Sequence, residues 1–239
     1  MSDVHPLHSL SFHLQPRCLR SRDDGLRSFQ RETLRALDTG GKRILVVHAP
    51  VGAGKSHIVG ELLKRQAGQA KRSQVILTFP TLALMNAQVE SLRQREWISV
   101  IQADPQGRFP MGDPGKAALF AYGSDVIYRV LARQENPERI DKGEFIKSAL
   151  DAMFFSSRAG AVVTTPDVLF LMLRGAYDRN LKAHAKGAVI FLDEFHLYHN
   201  LGNFKILLEK LLGYGARLVF MSATPYFSED VQNFLNEYQ

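Results

Sequence analysis

The chain has 239 residues, of which 45% are hydrophobic and 23% charged, a composition that fits a globular protein with one large core or two modest ones. No apolar run reaches the roughly 18 to 20 residues that cross a bilayer, no secretory signal is recognisable, and a single cysteine excludes an internal disulfide framework, so we expect a cytoplasmic protein without a membrane partner. The net charge of +6 is mild and the basic residues are dispersed, so charge alone supports a polyanionic partner only weakly.

Residues 1–24 are predicted to be an N-terminal extension, and residues 25–239 to form one α/β lobe. Five short runs rich in β-branched residues predict strands, at residues 43–49, 74–79, 160–165, 187–193 and 217–222. Each run is apolar on both faces, as in a parallel sheet that helices cover on both sides. Segments with helical spacing of apolar residues follow the runs. The pattern predicts a three-layer α/β fold with a mostly parallel central sheet, in which ligands bind beyond the carboxyl ends of the strands.

The segment at about 104–150 is the least regular part of the sequence. It begins with the turn-rich residues 104–115 (DPQGRFPMGDPG) and continues into two predicted helices, around 124–134 and 143–155. The segment is too short to bury a core of its own. We therefore predict an insertion in the lobe and not a separate domain.

A glycine-containing loop, residues 49–56 (APVGAGKS), connects the first predicted strand to a helix. Gly52 and Gly54 would let backbone N–H groups approach phosphate oxygens closely, and the helix N-terminus would add its positive dipole end. Lys55 would supply charge to the terminal phosphates and Ser56 a hydroxyl to Mg²⁺. Ala49 stands where the strict phosphate-loop pattern has glycine, but the strand before the loop and the helix after it match. The predicted nucleotide-binding residues of the loop are Gly52, Ala53, Gly54, Lys55 and Ser56.

Two carboxylates, Asp193 and Glu194, follow the strand predicted at 187–193. We expect the phosphate loop of a neighbouring strand to emerge at the same edge of the sheet. Phosphoryl transfer to water needs one carboxylate to hold Mg²⁺ and a second to polarise the attacking water, and we assign these roles to Asp193 and Glu194 respectively. Such a pair can also cap the next helix. The phosphate loop upstream, with its Lys55, favours the catalytic interpretation.

His196 and His199 follow the acidic pair at helical spacing and, with Glu194, are possible metal ligands. A coupling or packing role is favoured over zinc, because no further histidine or cysteine ligands complete a zinc site.

Six short segments carry a family resemblance. In chain order they are SFQRETL (28–34), APVGAGKS (49–56), FPTLALMNAQ (79–88), TTPD (164–167), DEFH (193–196) and SATP (222–225). In sequence and in order they resemble the motifs of a superfamily 2 helicase of the DEAD/DEAH type, and specifically its first RecA-like lobe. The resemblance implies a RecA-like fold, ATP and Mg²⁺ as cofactors, and a nucleic-acid partner that we expect to be single-stranded DNA.

The resemblance also implies roles outside the phosphate loop. Gln30 would recognise adenine through a paired donor and acceptor contact. Ser222 and Thr224 would couple the phosphate site to the nucleic acid. The residues that would line a track for the nucleic-acid backbone are Pro80, Thr81, Asn86, Thr165 and Pro166. Without the resemblance, Thr81 would be an ordinary helix cap, and Ser222 and Thr224 an ordinary turn.

Within the superfamily, DEFHLY (193–198) together with SATP most resembles the helicase part of the CRISPR-associated helicase-nuclease of type I systems, in the cyanobacterial-type subtype whose nuclease is carried elsewhere. The chain has no His-Asp dipeptide, so we expect no histidine–aspartate nuclease in it. This narrower resemblance implies a role in antiviral defence. Restriction-enzyme translocases and repair helicases share the motifs and are an alternative.

Translocases of this superfamily use two RecA-like lobes with ATP in the cleft between them, and the second lobe supplies arginines to the reaction. No second set of strands follows SATP in this sequence. We therefore expect the second RecA-like lobe, or a separate nuclease or effector complex, as a partner. The alternatives are a nucleotide-binding interaction module and a truncated helicase relative that does not unwind. A small-molecule kinase is less favoured, because it has no use for SATP.

Overall fold

The computed structural model describes residues 25–41, 43–67, 75–102, 109–110, 113, 116–123, 125–126, 132, 160–172, 182, 185–200, 204–224 and 229–237. The strands are β1 (Ile44–His48), β2 (Val75–Thr78), β3 (Ile98–Gln102), β4 (Ala117–Tyr122), β5 (Gly160–Thr164), β6 (Val189–Asp193) and β7 (Arg217–Ser222). The helices are α1 (Ser28–Thr39), α2 (Lys55–Ala67), α3 (Leu82–Arg93), α4 (Pro166–Met172), α5 (Phe204–Gly213) and α6 (Glu229–Glu237), with a 3₁₀ helix at Phe195–Asn200.

The strands form one seven-stranded sheet in the order β1-β7-β6-β2-β5-β4-β3, and all of its described pairings are parallel. Parallel strands place their carboxyl ends at one edge, so the segments that follow the strands emerge together there. The predicted parallel α/β sheet is confirmed.

Side chains that alternate along the strands contribute to two separate cores. On β6, Val189 and Phe191 pack with residues of α1, α2 and α3, whereas Ile190 and Leu192 pack with residues of α4, α5, α6 and the 3₁₀ helix. Successive side chains of a strand point to opposite faces, so helices on both sides require a continuous apolar run. The predicted three-layer arrangement is confirmed.

Two helix boundaries bear on the site. Helix α1 ends at Gly40, whose φ of 68° lies in the left-handed region that favours glycine. Helix α3 begins after Thr81, whose Oγ1 accepts a hydrogen bond from the N–H of Leu84 at 3.3 Å. None of the described helices has both the length and the apolar character that crossing a membrane requires.

The sheet has two strands more than the sequence analysis predicted. Strand β3 pairs with β4, and β4 pairs with β5, in the described part of the chain. Strand β4 lies inside the segment 104–150, so this part of the expected insertion belongs to the central sheet. Of the helix expected around 124–134, only 125–126 are described as helical, and the helix expected around 143–155 lies outside the described residues, as does the extension 1–24.

Candidate functional site

The glycine loop has the predicted arrangement of strand, loop and helix. Strand β1 ends at His48 and α2 begins at Lys55. Gly52 and Gly54 adopt φ values of 76° and 83°, a backbone conformation that costs a residue with a Cβ atom about 1 to 2 kcal/mol. The loop is anchored to β7, because the N–H of Ala49 donates to the carbonyl of Ser222 at 3.1 Å.

The start of α1 holds the carbonyl groups of the loop. The amide Nε2 of Gln30 donates to the carbonyl of Gly54 at 2.8 Å, and Nη1 of Arg27 donates to the carbonyls of Ala53 at 2.5 Å and Gly52 at 3.4 Å. The carbonyl of a trans peptide points away from the following N–H. Carbonyls drawn toward α1 therefore turn the N–H groups of Gly54 and Lys55 away from it, toward the side where an anion would bind.

Gln30 is 3% exposed and makes two contacts within the protein. Its Oε1 accepts a hydrogen bond from the N–H of Arg27 at 2.8 Å, and its Nε2 binds the loop. One N–H donor and one lone pair of the amide are left over for a ligand. The adenine contact stays a prediction. Sequence reasoning missed Arg27, although its place three residues before Gln30, on the same turn of a helix, was a usable signal.

Lys55 connects the loop to the acidic pair. Its Nζ lies 3.4 Å from Oε1 of Glu194 and donates to the carbonyl of Ala49 at 3.0 Å. The expectation that the two strands are neighbours is wrong, because β7 lies between β1 and β6. The site still forms, since all the carboxyl ends share one edge and the lysine side chain spans the intervening strand. Glu194 itself has a φ of 46°, an uncommon value without glycine, which bends the chain sharply after Asp193.

Asp193 is held in an unfavourable environment. Burial and the neighbouring Glu194 carboxylate raise its pKa to about 6, and Lys55 only partly offsets this. Its Oδ1 is buried and has no hydrogen-bond partner among the described residues. A bound cation would satisfy that oxygen, and carboxylate and hydroxyl oxygens are the ligands that Mg²⁺ prefers. Ser56 and Asp193 line the same pocket, so both oxygen groups are available on one side of the sheet, and the magnesium site stays a prediction.

His196 joins the acidic pair to the turn after β7. Its Nδ1 lies 3.4 Å from Oε2 of Glu194 and 2.8 Å from Oγ of Ser222. Ser222 Oγ in turn accepts a hydrogen bond from the N–H of Thr224 at 3.1 Å. The two predicted coupling residues are therefore linked by hydrogen bonds to His196, and the ring of this histidine lies beside Glu194. The described residues contain no group of three His, Cys, Asp or Glu side chains suited to a metal, and the side chain of His199 is not among those described.

The predicted nucleic-acid residues follow two adjacent strands, β2 and β5. Thr81 and Asn86 are exposed at the start and on the surface of α3, and Pro80 is half-buried. Thr165 and Pro166 are buried, and within the part of the chain that the structure describes Oγ1 of Thr165 has no hydrogen-bond partner. A nucleic-acid backbone could therefore reach Thr81 and Asn86 on the surface, whereas it could reach the Thr165 hydroxyl only after that group becomes exposed.

A buried hydroxyl pair links the segment after the acidic pair to β2. The Tyr198 hydroxyl donates to Oγ1 of Thr78 at 3.3 Å, and Thr78 donates to the carbonyl of Phe191 at 3.1 Å. Tyr198 is fully buried, and burial raises its pKa. The aromatic side chain therefore fixes the 3₁₀ helix against the strand that leads to Pro80. Sequence analysis did not identify either residue.

A seven-stranded parallel sheet between two helical layers, with a glycine loop after β1, defines a RecA-like α/β fold. Residues 27–109 match the family model described as DEAD/DEAH box helicase. The matched region contains α1, the glycine loop and α3, whereas the acidic pair lies beyond it. No curated protein matches the chain.

Two solved helicase structures share the fold. The helicase domain of Hef from Pyrococcus furiosus superposes with a TM-score of 0.51 at 16% identity, over 89% of this chain and 36% of that chain. The DUF1998 helicase MrfA, bound to DNA and AMPPNP, gives 0.51 at 17% identity, over 89% of this chain and 26% of that one. The type ISP restriction-modification enzyme LlaGI gives 0.45 at 15% identity, over 85% and 18%. The chain thus spans only part of the length of these structures, from 18% of LlaGI to 36% of Hef.

Proposed function

We propose that the chain is the ATP-binding lobe of a superfamily 2 helicase or translocase, in which ATP hydrolysis drives movement on single-stranded DNA. The contact between Lys55 and Glu194, at 3.4 Å, carries the proposal, because it joins the phosphate loop to the acidic pair. The helicase family match over residues 27–109 supports the same class of activity.

In the proposed mechanism, the N–H groups of Gly52, Gly54, Lys55 and Ser56 and the ammonium of Lys55 would bind the phosphates of ATP, whereas the N–H of Ala53 donates to the carbonyl of Pro50 at 3.1 Å. Ser56 and Asp193 would hold Mg²⁺, which would supply positive charge beside the phosphates. Glu194 orients the attacking water and accepts its proton. Lys55 at 3.4 Å and His196 at 3.4 Å restrain the two oxygens of that carboxylate.

We further propose that the nucleic-acid backbone lies along the ends of β2 and β5, where exposed Thr81 and Asn86 can contact phosphates. In this proposal, His196, Ser222 and Thr224 couple this surface to the phosphate site, so that the surface responds to whether the nucleotide is bound or hydrolysed. A role in CRISPR antiviral defence follows from the DEFHLY and SATP resemblance. A restriction or repair translocase is the alternative, as is a nucleotide-binding interaction module without unwinding activity.

Replacement of Lys55 by alanine tests the central assignment. Loss of its charged contact to phosphate, worth about 1.5 to 3 kcal/mol, lowers the affinity for an ATP analogue by roughly 10- to 100-fold. Fluorescence titration with a labelled ATP analogue in Mg²⁺ measures the change, and a single-stranded oligonucleotide titration is expected to be unaffected. Lys64→Ala is the matched control, since Lys64 is exposed in the last turn of the same helix. Unchanged nucleotide binding in Lys55→Ala contradicts the proposal.

A further inference from the structure

One contact connects the helix of the phosphate loop to the helix after β2. Oγ of Ser56, on α2, donates a hydrogen bond to Oε1 of Gln88, on α3, at 2.9 Å. Both side chains are partly buried, and both line the pocket that also contains Asp193. Thr81, an exposed residue of the proposed nucleic-acid surface, caps the start of α3. The contact therefore lies between the two predicted binding regions.

A serine hydroxyl that binds a cation needs a hydrogen-bond acceptor for its hydrogen, and Gln88 can be that acceptor. A serine hydroxyl has one hydrogen and two lone pairs, and it binds a cation through a lone pair. The hydrogen is then more strongly polarised and needs an acceptor that is not the cation or the nucleotide. The amide oxygen of Gln88 is such an acceptor, and it adds no charge beside the metal. Acceptors behind a metal ligand fix its orientation, and their loss typically costs 10- to 100-fold in metal affinity.

We propose that Gln88 is a positioning residue of the magnesium–nucleotide site. It accepts a hydrogen bond from the hydroxyl of Ser56 and so directs a lone pair of that oxygen toward the cation. The inference rests on the proposed function, since it needs Mg²⁺ to bind with the nucleotide. It assigns to Gln88 no contact with the nucleotide itself. The residue therefore affects nucleotide affinity only when Mg²⁺ is present.

Three substitutions of Gln88 separate its acceptor from its volume. Gln88→Met fills similar space without a strong acceptor, Gln88→Asn has a side chain one methylene too short to reach Ser56, and Gln88→Glu keeps an acceptor oxygen. The affinity for a labelled ATP analogue is measured by fluorescence titration with Mg²⁺ and again with EDTA. We expect the Met and Asn variants to lose about 10-fold in affinity with Mg²⁺ and nothing with EDTA, whereas the Glu variant keeps its Mg²⁺ response.

Gln94→Met, at the exposed end of α3, is the matched control and is expected to bind like the wild type. Circular dichroism establishes that each variant is folded, and the Asn variant carries the test if the Met variant is not. A folded Met or Asn variant with a normal Mg²⁺ response overturns the inference and leaves the proposed function standing. A wild-type protein that binds no nucleotide in either buffer overturns both.

Discussion

The buried carboxyl group of Asp193 lowers the stability of the folded protein at neutral pH when no cation is bound. Its pKa is about 6 in the folded chain, against 3.8 for an unperturbed aspartate, chiefly because the carboxyl group is buried. The folded state therefore holds a proton more tightly than the unfolded state does. By linkage, this residue favours folding below about pH 4, and its contribution is lost as the pH rises toward 6. At neutral pH the ionised group opposes folding.

We predict that Asp193→Asn stabilises the metal-free protein at pH 7.5 by roughly 1 to 3 kcal/mol, because asparagine has no charge to desolvate. The gain is expected to shrink as the pH falls through 6, since the wild-type carboxyl group then becomes neutral as well. Urea unfolding in EDTA at several pH values measures the difference. Glu32→Gln, at an exposed site in α1, is the control. Equal stability of wild type and Asp193→Asn at pH 7.5 contradicts the assigned environment.

Residues that act through local sequence were predictable, whereas residues that act through distant contacts were not. Lys55 and Ser56 follow two glycines in an eight-residue pattern, so their place at the start of a helix could be read directly from the sequence. Gln88 contacts Ser56 only because α2 and α3 pack on the same face of the sheet. Nothing in the local sequence around Gln88 indicates that packing, whereas Arg27, three residues before Gln30, offered a local signal that the sequence analysis overlooked.

At the scale of elements, the phosphate loop and α1 form one unit. The carbonyls of Gly52, Ala53 and Gly54 all accept hydrogen bonds from the start of α1. The two glycines share a left-handed backbone but differ in their surroundings. A Cβ on Gly54 would lie 2.9 Å from Nε2 of Gln30, whereas a Cβ on Gly52 would have no atom within 4 Å.

This difference predicts unequal effects of two matched substitutions. Gly52→Ala carries only the backbone strain, about 1 to 2 kcal/mol. Gly54→Ala carries the same strain and also displaces Gln30, which breaks its bond to the loop and adds about 1 kcal/mol. Thermal unfolding of both variants tests this order. A Gly54→Ala protein as stable as Gly52→Ala would mean that the loop and α1 are not tied together.

The strands that the sequence analysis identified are those with strong local signals. Strand β6 (VIFLD) is apolar on both faces and bulky, so its type could be predicted. Strand β4 (AALFAY) contains three alanines, which have a low preference for strands. Its position between β3 and β5 determines its conformation, because there its backbone groups are paired on both sides. Tertiary pairing of this kind leaves no pattern in the segment itself.

For the whole molecule, the extent of the similarity to helicase structures limits what this chain is expected to do. It covers 36% of the Hef helicase domain chain and 26% of the MrfA chain. An arginine supplied by another lobe is worth roughly 10³ to 10⁵ in the rate of phosphoryl transfer. We therefore propose that these 239 residues bind ATP but need a partner lobe for rapid turnover.

We predict slow ATP hydrolysis by the isolated chain, with at most a few-fold stimulation by single-stranded DNA. A phosphate-release assay with a saturating oligonucleotide measures it. Glu194→Gln is expected to remove the residual rate while nucleotide binding persists, which shows that the rate belongs to this protein. A DNA-stimulated turnover of about 1 s⁻¹ or faster from the isolated chain would contradict the need for a partner lobe.

The position of β1 in the sheet also determines when this strand can be paired during synthesis of the chain. In the described sheet β1 is an edge strand whose partner is β7, so residues 44–48 wait for residues 218–222 before they are paired. A ribosome delivers residues 218–222 long after residues 44–48, and contacts so far apart in sequence form slowly. A nascent chain that stops before β7 would leave the backbone groups of β1 unpaired, and unpaired strands promote association between chains even when the other elements are folded. We therefore expect nucleotide affinity to arise only after β7 has docked beside β1.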